Sequence, residues 1–229
     1  MKKIAIIGSG IIGVCIAHFL KKNENQVILF DQYEPGKQTS FGNAGIFANH
    51  DCVFANSPHL WKDLPSLLFK HDGYVALDWF YIVTHLPWMI KFLRNCTHSR
   101  VNHIAKSLSD FSFHAESAYQ DLFNEVDVSE YLVNKDSIYL YENKKDFEKA
   151  QYINNLRKKN NIPFNIINKE EISKMEPALA PIYYKGVIFR NEGYTRSPLK
   201  ITQKIFSNFI NNGGQFLLKK IHLISKNEK

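Results

Sequence analysis

The chain opens with an apolar run that does not alternate with polar residues, which is typical of a strand buried on both faces. This run, Ile4–Ile7, is followed by apolar residues that recur at helical spacing: Ile12, Ile16, Phe19 and Leu20. A second apolar run covers residues 26–31. The pattern therefore predicts a strand, a glycine-containing turn, a helix and a second strand.

Helical and strand-like patterns alternate along the rest of the chain. Apolar residues at helical spacing predict helices over residues 77–95, 100–124, 146–159 and 198–212. Pro87 should divide the first of these helices. Strand-like runs cover residues 137–141, 186–190 and 215–225.

Three local signals refine these elements. The predicted helix 100–124 places its apolar residues on one face: Ile104, Leu108, Phe111, Ala115, Ala118 and Leu122. Asn168 and Glu171 have the spacing of a capping box, which opens a short helix ending before Pro177. Gly193 marks a turn, and Gly213 ends the predicted helix 198–212.

Composition favours an ordinary globular protein, since 45% of the 229 residues are hydrophobic. The net charge is +7, but the lysines are spread along the chain, so a solvated basic face is favoured over a nucleic-acid-binding patch. The most apolar stretch, Trp79–Leu93, is interrupted by His85, Pro87 and Lys91. Its length and pattern favour a buried helix pair, with peripheral membrane contact as the alternative.

Cysteines and histidines give no pattern of a metal site. The three cysteines are odd in number and widely spaced, which indicates a reducing compartment and neither a disulfide framework nor a zinc site. The nine histidines include no HExxH motif. There is also no GxSxG motif of the kind that carries a serine nucleophile, so the sequence assigns no catalytic residue. If the protein is an enzyme, a cofactor would have to supply the reactive group.

The turn after the first strand carries the strongest chemical signal. Gly8, Gly10 and Gly13 form a GxGxxG motif: the first allows a tight turn, the second a close approach of pyrophosphate, and the third close packing of helix on strand. The helix N-terminus then offers free N–H groups and a positive dipole end to phosphates. Asp31 ends the second strand, where a carboxylate accepts hydrogen bonds from a ribose. In this context dinucleotide binding is favoured over a glycine turn in another type of βαβ unit.

A loop rich in small residues follows the second strand, and it includes Thr39, Ser40, Asn43, Ala44 and Gly45. If Thr39 or Ser40 caps a short helix here, that helix would offer a second contact to a phosphate or flavin. The alternative is a plain surface loop.

Several of these segments together resemble one family of enzymes. They are the glycine motif 8–13, Asp31, the loop 39–45, Trp88-Met89, residues 92–97, Arg100, Asn102 and residues 176–179. In this combination the chain resembles the small subunit of bacterial D-amino acid dehydrogenase, within the FAD-dependent D-amino acid and glycine oxidases. The glycine motif is shared by many flavoproteins, whereas the loop and the segment 92–97 are more specific.

The resemblance implies an FAD-dependent oxidation of a D-amino acid to a 2-oxo acid and ammonia, with electrons passed to the respiratory chain. The residues that it assigns to the cofactor are Gly8, Gly10, Ile11, Ile12, Gly13, Asp31, Ser40, Asn43, Ala44 and Gly45. It implies a cytoplasmic protein, or one that contacts the inner membrane peripherally. The alternatives are a glycine- or sarcosine-oxidising flavoenzyme that uses oxygen, and a non-catalytic nucleotide-binding remnant.

The implied fold is α/β, with an incomplete Rossmann-like parallel sheet and an inserted α+β substrate domain. Residues 1–47 and 191–229 would form the FAD-binding domain, and residues 48–190 part of the substrate domain. Members of the family are about twice as long as this chain. In the family's strand order 3-2-1-4-5, we expect only strands 1, 2 and 3, with the last formed by residues 215–225, so that Ile4–Ile7 becomes an exposed edge. We therefore expect a truncated or split family member.

Overall fold

The computed structural model describes residues 1–52, 56–61, 79–223 and 225. The strands are β1 (Lys3–Ile7), β2 (Gln26–Asp31), β3 (Leu132–Asn134), β4 (Ser137–Tyr141), β5 (Asn165–Asn168), β6 (Lys185–Phe189), β7 (Gly193–Thr195) and β8 (Gln215–Leu218). The helices are α1 (Ile11–Lys22), α2 (Trp79–Thr84), α3 (Leu86–Arg94), α4 (His98–Phe113), α5 (Ala115–Glu125), α6 (Lys144–Lys159), α7 (Lys169–Met175) and α8 (Pro198–Asn211).

The chain folds into two compact units. The first contains residues 1–47, 117–135 and 191–229, and the second contains residues 48–116 and 136–190. The sequence had placed residues 117–135 in the inserted domain. They belong to the first unit because Leu122, Val126 and Val128 are buried in its hydrophobic core.

The first unit is built on a three-stranded parallel sheet of order β1-β2-β8. This order agrees with the expected strands 1, 2 and 3. β1 is the edge strand, and no strand of the described residues pairs with its outer side. The expectation that Ile4–Ile7 is buried on both faces is wrong. Ile4 and Ile6, on one face, are half-buried, whereas Ala5 and Ile7, on the other face, are exposed, with Ile7 at 54%, because the described residues leave that face of β1 uncovered.

Helices α1 and α8 pack together in the core of the first unit, where Val14, Ala17, Ile205 and Phe209 are buried together with Leu29 of β2. Val14 and Ala17 therefore form the inward face of α1.

The apolar residues that predicted α1 are not all on this inward face. Ile12 is 74% exposed and Ile16 is also exposed, whereas Phe19 and Leu20 pack partly against the core.

The second unit contains an antiparallel sheet of order β4-β6-β5. Its central strand, β6, buries Val187, Ile188 and Phe189. The predicted capping box is confirmed: the Asn168 side chain accepts from the Glu171 N–H at 2.9 Å, and the Glu171 carboxylate accepts from the Asn168 N–H at 2.8 Å. This pair fixes the start of α7 immediately after β5.

Pro87 divides the first predicted helix, as expected, and lies in the first turn of α3, where its missing N–H is not needed. Residues 77 and 78 lie outside the described residues. The expectation of a buried helix pair is wrong for the part that the structure describes, since α3 has no buried side chain and Phe80 of α2 is 79% exposed. Among the described residues, no helix is long and apolar enough to cross a membrane.

Three further elements differ from the sequence-based expectation. The helix predicted over 100–124 is two helices, α4 and α5, separated at His114, and Phe111 is exposed because the buried side of α4 is formed by Val101 and Ala105. Gly193 begins the short strand β7, and the preceding turn uses Asn191, at φ 57°. The last strand ends at Leu218 instead of residue 225.

Candidate functional site

The glycine turn joins β1 to α1 in a geometry that only glycine allows at two positions. Gly8 has φ 105°, in a region that side chains rarely adopt, and its N–H donates to the Phe30 carbonyl of β2 at 2.8 Å. A Cβ on Gly13 would lie 1.8 Å from the Gly8 carbonyl oxygen. The third glycine of the motif therefore lets α1 lie directly against the turn, as the sequence predicts.

The N-terminus of α1 has the donors that bind an anion. Gly10 is the N-cap residue and has no side chain that could cap the helix. The N–H groups of Ile12 and Gly13 lie in the first turn, where backbone N–H groups have no hydrogen-bond acceptor within the helix. The Ile11 N–H is used differently, because it donates to the Ser40 hydroxyl oxygen at 2.9 Å. The positive end of the helix dipole adds to the attraction for phosphate.

Asp31 lies at the end of β2 beside this turn, with its carboxylate already hydrogen-bonded. One oxygen accepts from the Ser9 N–H at 2.6 Å and from the Ser9 hydroxyl at 2.8 Å, and the other accepts from the Tyr33 N–H at 3.0 Å. Burial acts to raise the pKa of Asp31, but these hydrogen bonds outweigh burial and hold the pKa below its ordinary value. The carboxylate therefore stays ionised, and a carboxylate has about four acceptor positions, so it can also accept from a ribose hydroxyl.

The loop after β2 is held against the turn by its own polar residues. Ser40 is buried, and its hydroxyl stands 3.1 Å from the position that a Cβ on Gly10 would take. The Asn43 amide donates to the Ser40 carbonyl at 3.2 Å and accepts from the Gly45 N–H at 2.8 Å. Ala44, between these two residues, is exposed.

No short helix begins at Thr39 or Ser40, where the structure has a turn instead. The Ser40 hydroxyl does bind a helix terminus, but the terminus is that of α1. Sequence spacing could not show this, because the donor of this hydrogen bond comes from 29 residues earlier in the chain.

Gly45 fixes the far end of this loop. It has φ 69°, its carbonyl accepts from the Thr195 N–H at 2.7 Å, and a Cβ there would lie 2.6 Å from the Thr195 carbonyl oxygen. A cavity of about 270 Å³ lies behind the loop, lined mainly by apolar side chains that include Ile11, Ile46, Phe123 and Ile205. It also contains Cys15, whose thiol pKa burial raises to about 11, so this thiol is poorly reactive at neutral pH.

All the residues predicted for the cofactor thus belong to the first unit, on the turn, the end of β2 and the following loop. Sequence reasoning missed Ser9, the residue that binds Asp31. A hydroxyl at the second position of the glycine motif, with an acidic residue ending the next strand, is the signal that could have indicated it. Among the described residues, no group of three acidic, histidine or cysteine side chains could hold a metal ion.

These features are those of a dinucleotide-binding site. Gly10 and Gly13 have no Cβ atom, the first turn of α1 has N–H donors without acceptors in the helix, and Asp31 lies at the end of the adjacent strand β2. Together with the parallel sheet, they define an α/β nucleotide-binding protein of the Rossmann type. Residues 3–228 match the model of the DAO family, described as FAD dependent oxidoreductase. The chain belongs to this family, and FAD is the family's cofactor.

Relatives and a solved structure agree with this assignment. The chain is 29% identical to a D-amino-acid oxidase of Bradyrhizobium diazoefficiens over 96% of this chain and 52% of the relative. It is 27% identical to a D-amino acid dehydrogenase of the same organism, over 80% of this chain and 44% of that protein. The chain therefore spans about half the length of these curated relatives.

The fold is similar to that of L-alpha-glycerophosphate oxidase from Mycoplasma pneumoniae, whose structure contains FAD. The TM-score is 0.63 at 14% identity, over 95% of this chain and 44% of that structure. At this identity the likeness concerns the fold alone.

Proposed function

We propose that the chain supplies the FAD-binding portion of an enzyme that oxidises D-amino acids to 2-oxo acids and ammonia. The observation that carries the proposal is the glycine turn on α1 with Asp31 at the end of β2, in a chain of the FAD-dependent DAO family. The names of the two relatives support D-amino acids as the substrate class. FAD, when bound, supplies the acceptor for the hydride that leaves Cα of the substrate.

The glycine turn and the end of β2 would bind the adenosine diphosphate part of FAD. The N–H groups of Ile12 and Gly13 bind the diphosphate, Gly8 allows the tight turn, and Gly10 allows the diphosphate to approach the backbone. Asp31 accepts from the ribose of the adenosine.

The loop residues have a supporting part. Ser40 ties the loop to α1, and Asn43 and Gly45 hold its shape, so that Ala44 and its neighbours face the cofactor. Loss of the hydride from Cα and of a proton from the amine nitrogen would leave an imine, and water would then hydrolyse the imine to ammonia and the 2-oxo acid.

We further propose that the final electron acceptor belongs to the respiratory chain. The two electrons removed from the substrate would pass from the cofactor to an acceptor at the inner membrane. The protein would then work in the cytoplasm, in peripheral contact with that membrane.

Cofactor binding is tested by titrating the purified chain with FAD and following the quenching of flavin fluorescence. We expect saturable binding, and Asp31→Asn should weaken it about 10-fold, as one lost hydrogen bond to a charged acceptor does. Asp110→Asn, at an exposed position of α4 in the other unit, is the matched control and should leave the affinity unchanged. Absence of saturable binding, or equal losses in the two variants, would contradict this site.

Substrate and acceptor are tested together with D-alanine, L-alanine, glycine and sarcosine in the presence of added FAD. Dye reduction with D-alanine and little oxygen uptake would support the proposal. Oxygen uptake with glycine or sarcosine would indicate an oxidase instead. Tight FAD binding with no oxidation of any of the four would leave the nucleotide-binding part standing and would mean that the chain by itself is not the complete enzyme.

A further inference from the structure

The second unit contains a buried cation with more hydrogen-bond donors than acceptors around it. Arg157, near the end of α6, is 5% exposed, and Asn154, one helical turn earlier on the same face, is 1% exposed. Arg157 Nη1 donates to Asn154 Oδ1 at 3.1 Å, which fixes the orientation of the guanidinium. Arg157 Nε is buried without a hydrogen-bond partner. A buried donor of this kind is uncommon and costs free energy, so it points to a bound ion or water that completes the site.

Asp51 forms an ion pair with Arg157 but does not complete its hydrogen bonds. Asp51 Oδ1 lies 3.7 Å from Arg157 Nη2, which is too far for a hydrogen bond. The Asp51 side chain is 38% exposed, so water screens much of its charge. Nε and Nη2 form one edge of the planar guanidinium, and arginine binds anions through two parallel hydrogen bonds along such an edge. Asp51 therefore leaves this edge without an acceptor of its own at hydrogen-bond distance.

The other neighbours of Arg157 hold the cation without balancing its charge. The Cζ atom of Arg157 lies 4.7 Å from the ring centroid of Phe189 and 5.2 Å from that of Tyr139, so these rings attract the faces of the guanidinium while its N–H groups point along the plane. Burial raises the pKa of Tyr141 against the effect of Arg157, so this phenol stays neutral. His50, which stacks on Phe189 at 4.0 Å, adds no negative charge.

A small monovalent anion suits this edge better than water does. A water molecule could accept from Nε, but it would leave the buried positive charge only partly balanced, and its own hydrogens would need acceptors. A monoatomic anion accepts from Nε and Nη2 together and balances the charge. A divalent anion would bring one negative charge more than a single guanidinium can balance away from water.

We propose that the Nε–Nη2 edge of Arg157 binds a chloride ion in the core of the second unit, with Asn154 as the residue that positions the guanidinium. The bound ion would stabilise the folded second unit as the chloride concentration rises, until the site is saturated. The residues proposed for FAD belong to the first unit, so the chloride site can be measured without the cofactor.

The first test is urea denaturation of the purified chain in sodium chloride or sodium gluconate at constant ionic strength. Gluconate is too large for a buried site, and it screens the net charge of +7 equally. We expect the unfolding midpoint to rise with chloride and to level off above about 100 mM, as one saturable site requires. No rise, or a rise that continues linearly without saturation, would mean that the edge binds water only and would overturn the inference.

Chloride-35 NMR detects the ion directly, because the line of free chloride broadens when the ion exchanges with a protein site. The broadening should saturate over the same chloride range as the unfolding midpoint and should disappear in the unfolded chain. In Arg157→Lys it should be about 10-fold weaker, because lysine keeps the charge but has no planar edge. Equal broadening in this variant would assign the signal to surface lysines and would overturn the inference.

Replacement of Asn154 tests the charge balance. Asn154→Asp, which has nearly the same shape, places a carboxylate beside Nη1 and balances the cation from within the chain. Chloride affinity should then fall at least about 10-fold. Asn155→Asp makes the same charge change at the exposed neighbouring position of α6 and is the matched control, with little expected effect. Equal losses in the two variants would indicate attraction by net charge alone and would overturn the inference.

Replacement of Asp51 separates the ion from the carboxylate of the chain. Asp51→Asn removes a competing negative charge and should strengthen chloride binding about 10-fold. Asp110→Asn, at an exposed position of α4 in the same unit, is the control and should leave the affinity unchanged. A loss of stability in Asp51→Asn with no gain in chloride affinity would assign the guanidinium edge to Asp51 and overturn the inference. If Arg157→Lys or Asn154→Asp folds poorly, the wild-type titrations and Asp51→Asn still decide the question.

Discussion

Ser9 and Asp31 are coupled through two hydrogen bonds, from the Ser9 N–H and from its hydroxyl, to one carboxylate oxygen. The backbone bond would form with any residue except proline at position 9, but the hydroxyl bond requires serine or threonine. Together they hold the carboxylate in one orientation beside the glycine turn. Ser9 is therefore a positioning residue for the group proposed to bind the ribose.

Replacement of this serine gives a prediction that depends on pH. In Ser9→Ala the pKa of Asp31 should rise towards its ordinary value, and the protein should lose about 1 kcal/mol of stability at neutral pH. A depressed native pKa stabilises the fold above the pKa of the unfolded chain, and this contribution is lost as pH falls through the native pKa. The stability difference should therefore shrink in acid.

NMR titration of Asp31 and urea denaturation at neutral and acidic pH would check this prediction. Ser207→Ala, which removes an exposed hydroxyl bonded within α8, is the control and should change neither quantity by much. A stability loss in Ser9→Ala that stays constant across the acid range would contradict the role assigned to the charged carboxylate.

Gly13 gives a second prediction at the same scale. An alanine Cβ would lie 1.8 Å from the Gly8 carbonyl oxygen, and neither atom can move away unless the backbone moves, so Gly13→Ala should cost about 4 kcal/mol or more. Gly42→Ala adds the same methyl group where nothing lies within 4 Å, and should change stability by about 0.5 kcal/mol at most. Urea denaturation compares the two variants, and similar unfolding midpoints would contradict the close packing of α1 on the turn.

Among the elements, those with strong local signals could be predicted from the sequence. The glycine turn, the capping box and the proline between α2 and α3 each depend on residues close together in the chain. The face of α1 could not be predicted in this way, because Ile12 and Ile16 are as apolar as Val14 and Ala17. Only the packing of α8 shows which side is inward.

Helix α6 shows that the burial of polar residues could not be predicted from the sequence either. Arg157 and Asn154 are buried in the second unit, and the guanidinium donates to the Asn154 side chain at 3.1 Å. The Cζ atom of Arg157 lies 4.7 Å from the ring centroid of Phe189 and 5.2 Å from the ring centroid of Tyr139. The sequence shows Arg157 as one of three adjacent basic residues and gives no sign that it is inside. The partners come from β4 and β6, which are distant in the chain.

Arg157 should therefore stabilise the second unit in a way that its neighbours do not. Arg157→Ala removes a buried side chain and its contacts with two rings, and should cost about 3 kcal/mol. Arg157→Met keeps most of the volume and should recover part of this loss. Lys149→Ala, at an exposed position of the same helix, is the control, with an expected change of about 0.5 kcal/mol or less. Equal midpoints for Arg157→Ala and Lys149→Ala in urea denaturation would contradict this account.

For the whole molecule, the order of the parallel sheet and the place of β1 at its edge followed from the sequence and its family resemblance. The assignment of residues 117–135 to the first unit did not, because it depends on where Leu122 and Val126 are buried. Periodicity shows that a helix has an apolar face, but it does not show which core receives that face.

The exposed edge has a consequence for association of the protein. Ile7 is 54% exposed on β1, and the net charge of +7 opposes contact between copies until salt screens it. Light scattering should therefore increase with salt, and Ile7→Lys should reduce the increase. Ile182→Lys makes the same change at an equally exposed residue outside the strands, and should reduce it less. Equal reductions by the two variants would contradict association through the edge.

The glycine turn follows an edge strand, and this position lowers the free energy that is needed to open the turn locally. β2 has hydrogen-bonded neighbours on both sides, whereas the turn is fixed to it through the Gly8–Phe30 bond and the contacts of Ser9 with Asp31. Local opening should thus expose the amides of residues 8–13 to deuterium far sooner than those of β2. A bound dinucleotide would add the contacts that keep this segment closed, so the exchange rate of a few amides would report occupancy of the site.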